Sequence, residues 1–173
     1  MRAMGEPGVE GEVEVEVRVA GSASELADAC AVRREVFQVE QRVDASREVD
    51  EHDASFDGPG VRHFVARAAG GEVVGAGRLM LAPSETGLAS VGRVAVRQAF
   101  RGRGVGKRIM RAIEAEAMAR GFQGVVLGAQ SHAIPFYLSL GYVCTSDTFL
   151  DGGSANIPHR MMELRFTARP PAH

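Results

Sequence analysis

A glycine-rich stretch in the middle of the chain has the residue types of an anion site. It reads Arg101-Gly102-Arg103-Gly104-Val105-Gly106-Lys107 and lies between an apolar run, residues 91–96, and an amphipathic segment that opens at Arg108. Glycines at alternate positions let the backbone bend tightly, so that several N–H groups converge on an anion at the positive end of a helix dipole. The stretch predicts a strand, a phosphate-binding loop and a helix start.

The spacing within this stretch argues against two common phosphate loops. A nucleotide-triphosphate loop needs G-x-x-x-x-G-K-[ST], but Arg101 stands five positions before Gly106 and Arg108 follows Lys107. The dinucleotide fingerprint G-x-G-x-x-G also fails, because the position of its third glycine is Lys107 when the match starts at Gly102 and Ile109 when it starts at Gly104. The pattern present is R-x-x-G-x-G. A glycine-rich surface turn would explain the glycines but not the basic residues gathered around them, which are Arg93, Arg97, Arg101, Arg103, Lys107, Arg108 and Arg111.

A second motif follows downstream and makes a resemblance recognisable. It reads Ala133-x-x-Phe136-Tyr137-x-x-x-Gly141-Tyr142. With R-x-x-G-x-G before it, the chain resembles the GNAT superfamily of N-acyltransferases over residues 13–166. Further segments look like its ElaA-like branch: Arg33-x-x-Val36-Phe37-x-Val39-Glu40-Gln41, Asp50-x-x-Asp53, Arg62-His63, Gly128-Ala129-Gln130 and Ile157-Pro158-His159.

The resemblance implies an α/β fold, in which a GNAT-like three-layer α/β/α domain has a central mixed, mostly antiparallel sheet of about six to seven strands. It also implies acetyl-CoA as the acyl-donor cosubstrate. The pantetheine arm would follow the strand that contains Arg93, with Val94, Ala95 and Val96 in contact. The pyrophosphate would bind Arg101, Gly102, Arg103, Gly104, Val105, Gly106 and Lys107.

Acetyl transfer needs a neutral amine near the thioester, donors for the oxyanion and an acid for the departing thiolate. The resemblance makes Tyr137 that acid. Some GNAT enzymes use a carboxylate on the fourth strand as base, but residues 91–97 contain no acid. Glu40, at the start of a substrate-side loop, is therefore the first candidate base, and a solvated or salt-bridged glutamate is the equal alternative.

Three more side chains are candidates for the acceptor side. His63 and His159 could bind substrate or accept a proton, since imidazole titrates near pH 6.5. The alternative for each is a structural histidine that is hydrogen-bonded within the fold. Arg93 could orient a substrate carboxylate or pair with Glu40. The sequence does not choose between these.

The run Asp50-Glu51-His52-Asp53 contains metal-ligand types. Consecutive placement in a polar loop fits no ligand spacing, so we expect no metal and a solvated acidic loop. Such a loop could attract a cationic amine substrate.

The composition restricts the domain number and the classes of function that remain. The chain has 173 residues, 20 basic and 22 acidic side chains and 45% apolar residues, which predicts one domain and no bulk nucleic-acid binding. No apolar run approaches a membrane span. The two cysteines, Cys30 and Cys144, lack disulfide or metal spacing, which favours a reducing, cytoplasmic compartment. The sequence leaves open whether the chain forms a homodimer.

Periodicity and turn residues outline the elements that must position these groups. We expect residues 1–11 and 167–173 to be flexible and residues 12–166 to form the domain. Ser24 is expected to cap the first helix. The predicted strands cover residues 12–19, two runs within 63–81, 91–96, 124–127, 142–150 and 161–166, the predicted helices 25–37, 108–120 and 131–140, and the long loop 41–60.

The function predicted from these features is acetyl transfer from acetyl-CoA to a primary amine of an unidentified acceptor by direct attack in a ternary complex. The alternative is a non-catalytic acyl-CoA-binding regulatory domain, for which the missing fourth-strand carboxylate is the best support.

Overall fold

A computed structural model describes residue 11 and residues 13–82, 84–151 and 156–167. Most of both expected flexible ends, residues 1–10 and 168–173, lies outside the described residues. The strands are β1 Val15–Val19, β2 Val61–Ala68, β3 Val73–Met80, β4 Leu88–Val96, β5 Gly124–Gln130, β6 Val143–Cys144, β7 Phe149–Leu150 and β8 Pro158–Arg165.

These strands form one sheet in the order β1-β2-β3-β4-β5-β8-β6, with β7 also on β8. The pair β4–β5 is parallel and the other pairs are antiparallel. The predicted mixed, mostly antiparallel sheet is confirmed. It has eight strands rather than six or seven because the expected strand over 142–150 breaks into two-residue pieces.

The helices are α1 Ala23–Arg33, α2 Ala45–Glu48, α3 Val105–Ala119 and α4 Ile134–Ser139. The prediction that Ser24 caps α1 is wrong. Ser22 is the cap and accepts a hydrogen bond from the Glu25 backbone N–H at 3.2 Å, while the Glu25 carboxylate accepts from the N–H of Gly21 at 2.8 Å. The sequence signal was present as S-x-x-E, a capping pattern.

After Arg33 the helix widens into a π-helical segment, Arg34–Glu40. The backbone N–H of Gln41 then donates to the carbonyl of Val36 at 3.1 Å. Wide turns of this kind often occur at functional sites. Here the segment places Val36 and Phe37 against the open centre of the sheet.

Helices cover both faces of the sheet, which confirms the three layers. On one face α3 lies very close to β3, because a Cβ on Gly75 would stand 2.7 Å from Cδ1 of Ile109. On the other face, Val32 of α1 packs with Val65 and Ala76. Among the described residues no helix is both long and apolar enough to span a bilayer.

The centre of the sheet is open. Strands β4 and β5 pair over three residues, Leu88–Ser90 with Gly124–Val126, and beyond them the described part of β4 pairs with β3 and that of β5 with β8. The helix α3 connects the two strands on one face, so its N-terminus lies beside this opening.

Candidate active site

The opening between β4 and β5 contains a cavity of about 1100 Å³. Its wall is built by the free parts of both strands, the N-terminus of α3, α4, the π-helical segment and the start of the following loop. A cavity of this size is large enough for a substantial organic ligand.

A β-bulge shapes the β4 side of the cavity. The register gives two residues of β4, Arg93 and Val94, opposite one residue of β3, Gly77. Arg93 takes φ +55°, the left-handed region that side chains other than glycine seldom adopt. Because a bulge leaves an extra residue out of the ladder, it frees main-chain polar groups at the cavity wall, which includes Arg93, Val94, Ala95 and Val96.

The glycine-rich stretch forms the opposite end of the cavity. Gly102 and Gly104 adopt φ +70° and +80°, and Gly104 is the N-cap of α3. The first turn of a helix leaves backbone N–H groups without partners inside the helix, so the start of α3 has backbone donors of the kind that suit an anion. Six of the seven predicted loop residues line the cavity: Arg101, Gly102, Gly104, Val105, Gly106 and Lys107.

Arg103, the seventh, is not among the lining residues. Its Nε donates to the carbonyl of Gly11 at 3.4 Å, and its guanidinium lies 5.9 Å from the ring centroid of Phe100. The structure therefore directs this side chain towards the N-terminal segment.

Glu40 does not reach the cavity wall either. Its Oε2 lies 2.7 Å from Nη2 of Arg101, and Nε of Arg101 donates to the carbonyl of Val96 at 2.8 Å. The predicted base is thus bound to a predicted donor-binding residue at the rim.

The two sequence motifs meet at Gly106 and Phe136. A Cβ on Gly106 would stand 3.2 Å from Cζ of Phe136, so the absence of a side chain lets the first turn of α3 approach α4. Tyr137 follows on α4 and lines the same cavity. The start of α3 and the helix that contains the tyrosine are therefore in close contact.

Tyr137 keeps its proton over the physiological range. Burial raises the pKa of its hydroxyl to about 12. No described residue hydrogen-bonds this hydroxyl, whereas the hydroxyl of the neighbouring Tyr142 donates to Oε1 of Glu114 at 2.9 Å. Tyr137 is thus the tyrosine whose donor remains available at the cavity.

The two predicted histidines have different positions. His63 is buried away from the cavity lining, and its Nε2 donates to the carbonyl of His52 at 2.8 Å. His159 lines the cavity and stacks on Phe149, with ring centroids 6.0 Å apart. Its Nδ1 lies 2.8 Å from the carbonyl of Ile157. Because a carbonyl only accepts, Nδ1 carries a proton, so in the neutral tautomer the lone pair is on Nε2.

The expectation of a solvated acidic loop is wrong for Asp50 and Asp53. Arg78 holds Asp50 through two hydrogen bonds of 2.7 and 2.8 Å, and Arg33 holds Asp53 through two of 2.6 and 2.9 Å. Arg33 is 1% exposed. Both carboxylates are therefore engaged in ion pairs within the protein rather than solvated.

Sequence reasoning missed Arg78 altogether, and it missed that Arg33 and Arg93 fix this loop. Nε of Arg33 also binds Oε1 of Glu48 at 2.5 Å, and Arg93 donates to the backbone carbonyls of Glu48 and Arg47 at 3.0 and 2.9 Å. Arg93 does not pair with Glu40. Arg47, Glu48, Arg78 and Arg93 all line the cavity, so the loop between the π-helical segment and β2 forms its far wall.

Comparison with known proteins identifies the family of this chain. The model of the acetyltransferase (GNAT) family matches residues 26–142, more than half of the chain. The chain belongs to the GNAT acetyltransferase family. Protein ElaA of Escherichia coli is 30% identical over 139 residues, which cover 80% of this chain and 86% of that protein. The predicted ElaA-like branch is confirmed.

Other GNAT relatives agree. YjcF of Bacillus subtilis, described as an uncharacterized N-acetyltransferase, is 39% identical over 145 residues, 83% of this chain and 95% of that protein. The crystal structure of Escherichia coli ElaA matches with a TM-score of 0.72 at 27% identity, covering 87% and 99%. An aminoglycoside 6'-N-acetyltransferase complexed with coenzyme A shares the fold, with a TM-score of 0.71 at 16% identity, covering 90% and 99%.

Membership of the GNAT family makes the chain an acyltransferase and acyl-CoA its class of acyl donor.

Proposed function

We propose that this protein transfers the acetyl group of acetyl-CoA to a primary amine by direct attack in a ternary complex. The observation that carries the proposal is the contact between the two motifs. Through Gly106 and Phe136, the anion-binding end of α3 and the hydroxyl of Tyr137 face one cavity at the opening of the sheet. A phosphate-bearing thioester and a proton donor would then meet in fixed geometry.

The donor substrate would lie along β4. Its pyrophosphate would accept hydrogen bonds from the first turn of α3, where Lys107 adds a positive charge. Its pantetheine arm would run past the main chain of Val94, Ala95 and Val96, and groups freed by the bulge would face the thioester. This placement brings the acetyl group to the middle of the cavity, between α4 and the arginine-fixed loop.

The reaction then needs two proton movements. The lone pair of the amine attacks the thioester carbonyl carbon, the C–N bond forms, the C–S bond breaks and the thiolate leaves. Tyr137 donates a hydrogen bond to the departing sulfur. Its pKa of about 12 lies above the value of ~8.5 for an ordinary thiol, so the hydroxyl stabilises the thiolate and the thiol gains its final proton from solvent.

His159 is our candidate acceptor of the amine proton. Its Nδ1 is fixed by the carbonyl of Ile157, and no described residue hydrogen-bonds its Nε2. Glu40 remains the sequence-based alternative, but its carboxylate is bound by Arg101 outside the cavity wall. The position of His159 in the cavity wall therefore favours it over Glu40 as the acceptor of the amine proton.

A covalent route through cysteine has less support. Neither Cys30 nor Cys144 lines the cavity, and burial raises the pKa of the Cys30 thiol. A thiol with a raised pKa is a poor nucleophile at neutral pH. Direct attack on acetyl-CoA is the simpler course.

The test is acceptor-dependent release of free thiol from acetyl-CoA. Purified protein would be incubated with acetyl-CoA and a panel of polyamines, amino acids, small amines and lysine peptides, with acetyl-CoA binding measured separately by calorimetry. We expect release with at least one amine and a stoichiometric acetylated product. Binding without release by any amine would favour the regulatory domain, and absence of binding would overturn the assignment of the donor site.

A further inference from the structure

Arg78 and Gly92 face each other across β3 and β4 inside the cavity. They are paired in register, so their side-chain positions share one face of the sheet, and both line the cavity. A Cβ on Gly92 would meet no atom within 4 Å. The missing side chain therefore leaves open space directly beside the Arg78 side chain.

The guanidinium of Arg78 has one unused donor. Its Nη1 and Nη2 bind Asp50, but its Nε is buried and is the one buried side-chain nitrogen or oxygen in the described part of the chain without a hydrogen-bond partner. The side chain is 8% exposed. An unpaired buried N–H costs about 1–3 kcal/mol, so a built site with an absent acceptor is indicated.

Arg93 stands beside it with a positive charge that its hydrogen bonds do not neutralise. Nε and Nη2 donate to two backbone carbonyls, which are uncharged. The nearest carboxylate oxygens, of Asp50 at 3.8 Å and Glu48 at 4.0 Å, already accept hydrogen bonds from Arg78 and Arg33. Burial is the largest cause that lowers the pKa of Arg93, and the charges of Arg78 and Arg33 add to it.

The guanidinium groups of Arg78 and Arg93 both approach the carboxylate of Asp50. Oδ2 of Asp50 lies 2.7 Å from Nη2 of Arg78 and 3.8 Å from Nη2 of Arg93. The open space over Gly92 lies among the side chains of Arg78 and Arg93, which both line the cavity, and the buried Nε of Arg78 is the donor without an acceptor. Guanidinium donors of this kind are matched by a carboxylate.

We propose that the acceptor is a small molecule that bears a carboxylate as well as the reacting amine, and that its carboxylate binds over Gly92 between Arg78 and Arg93. The inference rests on the proposed amine acetylation and names its substrate class. The carboxylate accepts hydrogen bonds from the guanidinium groups of Arg78 and Arg93, and this contact holds the amine towards the centre of the cavity.

The test compares matched amines in wild-type protein. L-Lysine is set against cadaverine, L-phenylalanine against 2-phenylethylamine and β-alanine against its amide, with kcat/KM expressed per neutral amine. A charge-assisted hydrogen bond is worth roughly 10- to 100-fold, so at least one carboxylate-bearing amine should exceed its partner by that factor. If amines are acetylated but the ratio is near one in every pair, the inference is wrong. If no amine of either kind is acetylated, the proposed function itself fails.

Two variants test whether the preference for carboxylate-bearing amines arises at Arg78 and Gly92. Arg78→Lys keeps a cation beside Asp50 but removes the Nε donor, and Gly92→Ala fills the open space without straining a left-handed backbone. Each should bring the ratio close to one, mainly through KM of the carboxylate-bearing amine. Gly60→Ala, whose added Cβ also meets nothing within 4 Å and which lies outside the cavity lining, is the control and should keep the wild-type ratio. A folded Gly92→Ala variant with the full wild-type ratio would overturn the carboxylate site.

Discussion

Nη2 of Arg101 lies 2.7 Å from Oε2 of Glu40, which joins the glycine loop to the last residue of the π-helical segment. The sequence predicts separate roles for these residues, one on the phosphates of the donor and one on the acceptor amine. Their contact means that a phosphate competes with Glu40 for the same guanidinium. The pair is partly exposed, with side chains 42% and 27% accessible, so the competition involves a modest energy.

Glu40→Gln should therefore strengthen donor binding. Removing the competing charge frees Arg101, and exposed ion pairs contribute about 0.2–1 kcal/mol, so acetyl-CoA affinity should rise up to about 5-fold while kcat stays within about twofold. Calorimetry and steady-state kinetics measure the two effects. Glu35→Gln, which removes a similar ion pair with Arg97 at 2.9 Å, is the control. A loss of kcat of about 100-fold or more would instead make Glu40 the base.

Lys107 and Arg103 should differ although they lie four positions apart in one motif. Lys107 lines the cavity, whereas the Arg103 side chain turns to Gly11 and Phe100. Lys107→Ala should weaken acetyl-CoA binding about 10-fold, the value of one charge-assisted contact, and Arg103→Ala should change it less than about twofold. Equal losses in a titration of both variants would contradict this placement.

Some features of this protein could be predicted from its sequence. Alternating valines located β1, the Gly70-Gly71 pair located the β2–β3 hairpin, and the two motifs singled out the glycine-rich stretch and Tyr137, which line one cavity. These signals are local or belong to a family pattern. Their periods and turn residues are set by a few neighbouring residues.

Side-chain partners over long distances were not predictable in this way. Arg33 binds Asp53 and Arg78 binds Asp50 across separations of 20 and 28 residues. These pairings depend on the course of the loop that follows the π-helical segment, and no period in the sequence encodes the widening of that helix. The acidic run therefore looks solvated in sequence although three arginines surround it in space.

Tyr137→Phe should reduce kcat without affecting donor binding. Losing one positioned hydrogen-bond donor to the developing negative charge typically costs 10²- to 10³-fold in kcat, so we expect at least about 100-fold. Because the pKa of Tyr137 is raised to about 12, the ratio of wild-type to variant rates should stay constant from pH 7 to pH 10. A hydroxyl with an ordinary pKa would lose that advantage towards pH 10.

Tyr142→Phe is the matched control for that experiment. It removes another buried hydroxyl, whose hydrogen bond goes to Glu114 rather than to the cavity. The variant should unfold about 1–2 kcal/mol more easily, as is usual when a buried hydrogen bond is lost, while kcat stays near wild type. Similar kcat losses in both tyrosine variants would show that packing, and not the Tyr137 donor, controls the rate.

Gly124→Ala should damage the base of the opening. A Cβ there would stand 2.2 Å from the carbonyl oxygen of Leu164 and 3.0 Å from Cα of Arg165, which are backbone atoms of β8 and cannot rotate away. Overpacking of this kind costs about 1–3 kcal/mol or more. Gly128→Ala, on the same strand, meets its first neighbour at 3.8 Å and should leave the free energy of unfolding unchanged or raise it by up to about 1 kcal/mol. Equal urea midpoints would contradict the register of β5 with β8.

The ion pair between Arg33 and Asp53 should make stability fall in acid. Burial by itself raises the pKa of Asp53, but the hydrogen bonds and charge of Arg33 outweigh it and lower the pKa from 3.8 to about 2. Since the folded state has the lower pKa, this stabilisation is complete above about pH 5 and is lost as the pH falls from 3.8 towards 2. A shift of that size corresponds to about 2 kcal/mol.

Asp53→Asn isolates this contribution. At pH 7 it leaves the buried guanidinium of Arg33 with fewer partners, so the free energy of unfolding should drop by about 3–5 kcal/mol. Between pH 5 and pH 2, the variant should also lose less stability than the wild-type protein. Urea unfolding across this range measures both effects, and Asp57→Asn, which changes an exposed aspartate near the same loop, should follow the wild-type curve. An unchanged acid slope in Asp53→Asn would mean that Asp50 and the other carboxylates, rather than Asp53, carry the acid sensitivity.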